Sequence, residues 1–213
     1  MATATTPVTA RTHRRRSALL AGAAAGPLFF ASAGAQMLAR EGFDITRHPI
    51  SQLATGDTGW IQILTFVLAG AGILALAVAL GATVTEGTGR RALPVLVGVF
   101  GVGLIAAGVF TMDPEYGFPP GTPEGPVERM SWHGVAHSVA AAIAYTALAV
   151  AAIVWAVRRA RRRLMVSAVA SAVVALVLLM PMHPEYMSVR IAVNGLVAFA
   201  WTSVLSLSLW RSS

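Results

Sequence analysis

Six long apolar stretches decide what this chain can fold into. They run roughly Ser17–Ala39, Gly59–Gly81, Ala92–Met112, Ser131–Val157, Leu164–Met182 and Val189–Trp210. A helix crosses the hydrocarbon core of a bilayer in about 20 apolar residues. None of the six carries an acid or an Arg in its middle. Membrane strands would alternate in polarity over about ten residues, and these stretches do not alternate. A backbone in lipid must satisfy its own hydrogen bonds, which a helix does within one segment. The expected architecture is therefore all-α: a polytopic transmembrane helical bundle of six spans. It forms a single domain over residues 17–213, preceded by a disordered basic tail over 1–16. Composition agrees, with 12% charged residues against about 25% in a soluble domain. The chain has no Cys, which excludes disulfides, thiolate metal sites and Cys nucleophiles.

The charges are sorted by side. One set of segments holds Arg11, Arg14–Arg16, Arg90, Arg91, Arg158, Arg159, Arg161–Arg163 and Arg211, with Glu86 as its sole acid, a net +11. The other set holds Arg40, Arg47, Arg129 and Arg190 with eight acids, a net −4. Short loops rich in Arg stay in the cytoplasm, so both termini are expected there, in a bacterial plasma membrane. The overall +7 then points to anionic inner-leaflet lipids as partners. Nucleic acid is not expected, since the Arg runs lack interleaved aromatics. A signal peptide is the competing reading of Arg11–Ala35; its apolar run is long for one.

The outer side carries the polar chemistry. Gln36, Gln62, His133, His137, Arg190 and Asn194 all lie near outer span ends, whereas the inner halves hold little but Ala, Val, Leu, Gly and Ile. Polar groups within a membrane are costly unless paired, and they mark candidate sites. A short repeat adds to this stratum. Met112-Asp113-Pro114-Glu115-Tyr116 ends the third span, and Met182-His183-Pro184-Glu185-Tyr186 ends the fifth. Pro stops a helix and biases the residue before it away from helix. The repeat reads either as a trace of duplicated helical hairpins or as shared helix-stop chemistry.

His133 and His137 sit about 40° apart on one helical face, a spacing that lets both ligate one metal. His48, His183 or Asp113 would supply a third ligand, and zinc would activate water in an open position. Haem fits less well, because its two His ligands usually come from two helices. The other reading of these His is a hydrogen-bonded helix end. Arg47, Arg129 and Arg190 suit carboxylate or phosphate partners, or else snorkel to the surface. Ser51 is either a nucleophile or the N-cap of a short helix at Gln52–Ala54. Trp60, Trp132, Trp201 and Trp210 read as interfacial anchors. Gly22, Gly26, Gly98, Gly101, Gly103 and Gly108 read as helix-packing positions.

Several of these motifs together resemble one family. Arg47-His48-Pro49-Ile50-Ser51-Gln52-Leu53, Gly56, Gly59-Trp60, the run Gly108–Pro114 and His133-Gly134-x-x-His137 are similar to the bacterial domain-of-unknown-function 998 membrane proteins. The resemblance covers roughly residues 17–210. It implies six spans and an actinobacterial setting, and it singles out His48, Ser51, Asp113, His133 and His137. It implies no activity, and the His183–Tyr186 turn lies outside its pattern. A looser likeness, to the alkaline ceramidase and adiponectin-receptor group, rests on Ser, Asp and H-x₃-H at one membrane face, in a different order.

Three functions are consistent with these residues. The first is a metal-dependent hydrolase of a lipid-like substrate, with zinc on His133, His137 and His48, Asp113 as acid/base, Ser51 beside it, and Arg47 on the oxyanion or headgroup. The second is a transporter or small-ligand binder with Asp113, Arg190 and Asn194 facing a cavity; His183 and Glu185 are further site candidates. The third is a structural or assembly protein without catalysis. Oligomeric state is not legible in the residues.

Overall fold

The computed structural model describes residues 7–212. It contains six helices and, among the described residues, no strand: α1 (Pro7–Ala39), α2 (Gly59–Thr83), α3 (Ala92–Val109), α4 (Trp132–Arg161), α5 (Met165–Leu179) and α6 (Met187–Arg211). Two 3₁₀ turns, Ile50–Ala54 and Pro184–Tyr186, sit in the loops. Each helix from α1 to α4 packs on the next, α5 touches α6 only lightly, and α6 returns against α1. Five of the helices are long and apolar enough to cross a membrane, and α5 is a shorter apolar one.

Lipid gives helices no hydrophobic reason to associate, so close backbone approach through small residues does the work. A Cβ added at Gly70 would lie 2.7 Å from the Gly101 carbonyl oxygen, and one at Gly26 would lie 2.7 Å from Phe199 Cβ. Gly22 faces Leu76, and Gly103 faces Ala144 in the same way. Hydroxyls on α6 also bond the α1 backbone: Ser203 donates to Ala23 O at 2.9 Å and Ser206 to Leu19 O at 2.5 Å. Outward faces carry exposed apolar residues such as Leu20, Leu64, Val78, Val102 and Ile143, as lipid contact requires. Leu19, Ala25, Phe29 and Ala33 of α1 belong to the core.

The structure departs from the sequence reading in three places and decides between two readings in a fourth. The expected disordered tail is helical from Pro7 onward, and its first six residues lie outside the described part. Ala and Arg are good helix formers, and the span supplies the costly nucleus. The fifth span is shorter than expected, since α5 stops at Leu179 with Met180 extended ahead of Pro181. Fifteen residues reach only about 22 Å, against a core of about 30 Å. Trp201 is buried, its indole N–H donating to Ser171 Oγ at 3.1 Å, so it is no interfacial anchor. Lastly, α5 and α6 barely touch while α1–α2 and α3–α4 pack tightly. Three equivalent hairpins would not pack so unequally, so the helix-stop reading of the repeat is the one the packing supports.

Candidate functional site

The outer ends of the helices are tied together by loop residues. Arg40, just past α1, donates to Leu53 O at 2.6 Å and Thr55 O at 2.7 Å. Its guanidinium lies 4.6 Å from the centre of the Phe118 ring, and partial burial lowers its pKa. His48 is almost fully buried. Its Nδ1 accepts from the Asp44 N–H at 2.9 Å, so Nε2 carries the proton and donates to Tyr116 O at 3.0 Å. Its ring packs against Phe43 and Phe118. Both ring nitrogens are therefore committed to backbone, and His48 is a loop clamp with no lone pair to offer a metal. Asp44 accepts from the hydroxyl and the backbone N–H of Thr46, which hold its carboxyl below the usual value.

The proposed acid/base residue has a comparable explanation. Asp113 Oδ2 accepts from the Ser131 N–H at 2.8 Å, while Ser131 Oγ accepts from the Gly134 N–H at 3.1 Å. The carboxylate and the hydroxyl together cap the N-terminus of α4, where negative charge is favourable. Arg47 pairs with Glu124 at 3.0 Å in an exposed bridge, and its carbonyl accepts from Ser188 Oγ. Arg190 donates to the Val177 carbonyl near the end of α5, a favourable place for a cation. His133 stacks on Trp132 with ring centres 3.8 Å apart. His183 and Glu185 are exposed in the Pro184–Tyr186 region, with His183 beside Tyr186.

Among the described residues no three His, Asp or Glu side chains come together as metal ligands. The expected zinc set of His133, His137 and His48 is thus not assembled. The reason is that His48 folds into the loop layer while His137 turns into the bundle.

His137 is the residue that remains. It is buried on α4, and Nδ1 lies 2.9 Å from both Ala107 O and Phe110 O at the end of α3. Carbonyls only accept, so Nδ1 carries the proton and Nε2 is a bare acceptor. Nε2 makes no hydrogen bond among the described residues. The ring borders a cavity of about 60 Å³ in the outer half of the bundle. Phe29, Phe30, Phe66, Phe199, Leu104 and Ile191 make most of its wall. Its polar members besides His137 are Ser51 and Tyr145. Ser51 is a wall residue and not an N-cap; its hydroxyl lies 2.8 Å from Met112 Sδ. The rings of Phe29, Phe66, Phe100 and Phe199 pack beside it with neighbouring centres 5.1–6.0 Å apart. Asn194, beside Gly195 of the wall, is fully buried with neither amide atom bonded in the described structure. Leaving such a group unpaired costs about 1–3 kcal/mol, so this half of the bundle is polar beyond what its own side chains satisfy.

Three residues escaped the sequence reading. Tyr145 had a visible signal, as the only Tyr inside a span. Arg40 and Arg158 had none: Arg158 looks like one more inner-rim Arg, yet it is buried and donates to Glu86 O and Thr88 O at 2.7 and 2.9 Å.

The chain matches the family described as "Protein of unknown function (DUF998)" over residues 23–208, and it belongs to that family. Comparison with curated proteins and with solved structures found no match.

Proposed function

We propose that this DUF998 member is a multi-pass protein of the bacterial plasma membrane, with both ends of its helical bundle in the cytoplasm, that binds a small molecule, no larger than a short-chain alcohol or acid, in its outer-half cavity of about 60 Å³. The observation that carries this reading is the His137 tautomer. Two α3 carbonyls hold the Nδ1 proton, so the cavity offers one imidazole acceptor in a largely apolar wall whose other polar groups are the Ser51 and Tyr145 hydroxyls. That pattern suits an apolar body bearing a single hydroxyl or protonated acid. The aromatic wall of Phe29, Phe30, Phe66 and Phe199 argues for binding over conduction, since transporters keep polar groups near the midplane. A metal-dependent hydrolase finds no support in the same geometry, because the three-ligand set is missing. The retained α1 is part of the proposal, since its residues line the cavity and the core.

The test is nitrogen NMR of ¹⁵N-His-labelled protein in nanodiscs, with 1-butanol as the probe. His137 is expected as the Nδ1-protonated tautomer, with an Nε2 signal that moves on butanol addition and is absent in His137→Leu. An Nε2-protonated ring, or an unmoved signal, refutes the reading. Orientation is tested separately on this Cys-free chain. An impermeant maleimide should label Thr122→Cys on intact cells and spare Thr88→Cys.

A further inference from the structure

The inner half of the bundle has an opening of its own. Because α5 and α6 barely touch, a fissure of about 580 Å³ lies between α4, α5 and α6, well away from the His137 cavity. Its floor is apolar and aromatic, with Trp155 from α4 and Trp201 and Leu205 from α6. The Trp201–Ser171 hydrogen bond is the polar link across it. Arg159, Arg163 and Ser167 stand at the end near the α4–α5 link.

The cations there are arranged and unneutralised. Arg159 Nε donates to Ser167 Oγ at 3.2 Å while its guanidinium lies over the Trp155 ring at 5.3 Å. Those contacts fix the side chain without consuming its charge. Arg163 has φ +58°, the left-handed region that glycine occupies freely and other residues reach only at a cost. It occupies the turn that ends α4, where Arg163 N bonds Ala160 O and Leu164 N bonds Arg159 O. Helices usually place Gly there, so Arg163 holds its place at a backbone cost. No carboxylate answers either Arg: the one salt bridge among the described residues, Arg47–Glu124, is at the other end of the molecule.

We propose that this fissure binds one anionic phospholipid of the cytoplasmic leaflet. Its phosphate sits on Arg159, Arg163 and the Ser167 hydroxyl, and an acyl chain lies over Trp155, Trp201 and Leu205. Guanidinium groups match phosphate oxygens in pairs. A 580 Å³ space is within the range of about 300–1,000 Å³ that holds small ligands, enough for a headgroup and the first part of a chain. The charge selects a lipid with net negative charge over a zwitterionic one. Unlike a general attraction of basic loops to the leaflet, this is a single saturable site.

Quenching of Trp fluorescence by lipid with brominated chains tests it. Full-length protein carrying Trp210→Phe, which removes the other inner-end indole, is placed in nanodiscs of unbrominated phosphatidylcholine with graded brominated phosphatidylglycerol or brominated phosphatidylcholine. Phosphatidylglycerol is expected to quench at lower mole fraction and to saturate. An Arg near an anionic surface contributes about 1 kcal/mol, so Arg163→Gln should weaken the apparent affinity about fivefold and Arg159→Gln/Arg163→Gln about thirtyfold. Arg162→Gln, which removes the same charge from the α4 C-cap outside the fissure, should change it less than twofold. Equal quenching by the two lipids overturns the proposal. So does a loss with Arg162→Gln as large as with Arg163→Gln, since that marks diffuse attraction. Helical circular dichroism and a monodisperse elution profile confirm that each variant is folded, and native mass spectrometry should retain one phosphatidylglycerol per wild-type chain.

Discussion

Replacing Gly103 by Ala tests the packing that walls the outer cavity. A Cβ at this position would lie 2.5 Å from Ala144 Cβ and 3.1 Å from the Ala140 carbonyl oxygen. Neither neighbour is the end of a flexible side chain, so α3 and α4 must separate. Overpacking of this kind costs about 1–3 kcal/mol. Against it stands the ordinary gain of about 1 kcal/mol for replacing Gly by Ala within a helix. Gly34 isolates that gain, because a Cβ there meets nothing within 4 Å. Gly34→Ala should therefore stabilise, and Gly103→Ala should fall below it by about 1–3 kcal/mol. Ala144→Gly removes the 2.5 Å contact and leaves the 3.1 Å one, so it should restore part of the loss, with a coupling of about 0.5–3 kcal/mol between the two sites. The assay is reversible unfolding in mixed micelles against rising dodecyl sulfate, followed by far-ultraviolet circular dichroism. Equal shifts for Gly34→Ala and Gly103→Ala, or additivity in the Gly103→Ala/Ala144→Gly pair, would refute the α3–α4 contact.

Other consequences are more local. Asp113→Ala should destabilise by about 0.5–2 kcal/mol through loss of the α4 cap, with Asp113→Asn losing less because it keeps an acceptor; the same unfolding assay reads both. The Asp44 carboxyl, held low by Thr46, should lend the loop stability that is complete above the ordinary carboxyl range and lost as pH falls through its depressed pKa. Carboxyl NMR titration should show that pKa rising in Thr46→Val. Zinc should remain substoichiometric in elemental analysis of purified protein and should not change in His137→Ala, since the described ligands do not converge; a stoichiometric metal lost in that variant would restore the hydrolase reading.

Much of the fold was legible because hydropathy and Pro punctuation act locally. Spans two, three and four lie within a few residues of where the apolar runs place them. The ends that moved, at Pro7 and Leu179, are where helix propensity or a following Pro overrode average hydropathy. The candidate site was legible only as a stratum. His48, Asp113, His133 and His137 all lie toward the same end of the bundle, yet the partners of His48, Asp113 and His137 come from distant parts of the chain. His48 meets Tyr116 O from 68 residues away, and Asp113 meets Ser131 N from 18. The repeated Met-x-Pro-Glu-Tyr segments make the point directly. In the first copy the residue before Pro caps α4, and in the second it lies exposed in a short turn.

Small residues show why the cavity itself could not be read from the chain. Gly103 and Ala144 are small because two helices touch there. Ala141, Ala192 and Gly195 are equally small, but they line the cavity, because α4 and α6 do not pack closely on each other. In a sequence the two cases look alike, and the packing rule for membrane helices favours contact for both. What separates them is which helices meet: α3 touches α4 at Gly103, whereas α4 and α6 do not pack closely. The Phe29, Phe66, Phe100 and Phe199 rings cluster beside the space that remains, and the Ile50–Ala54 turn, anchored by Arg40, adds Ile50 and Ser51 to its wall. His137, its Nδ1 held by two carbonyls at the end of α3, borders that space.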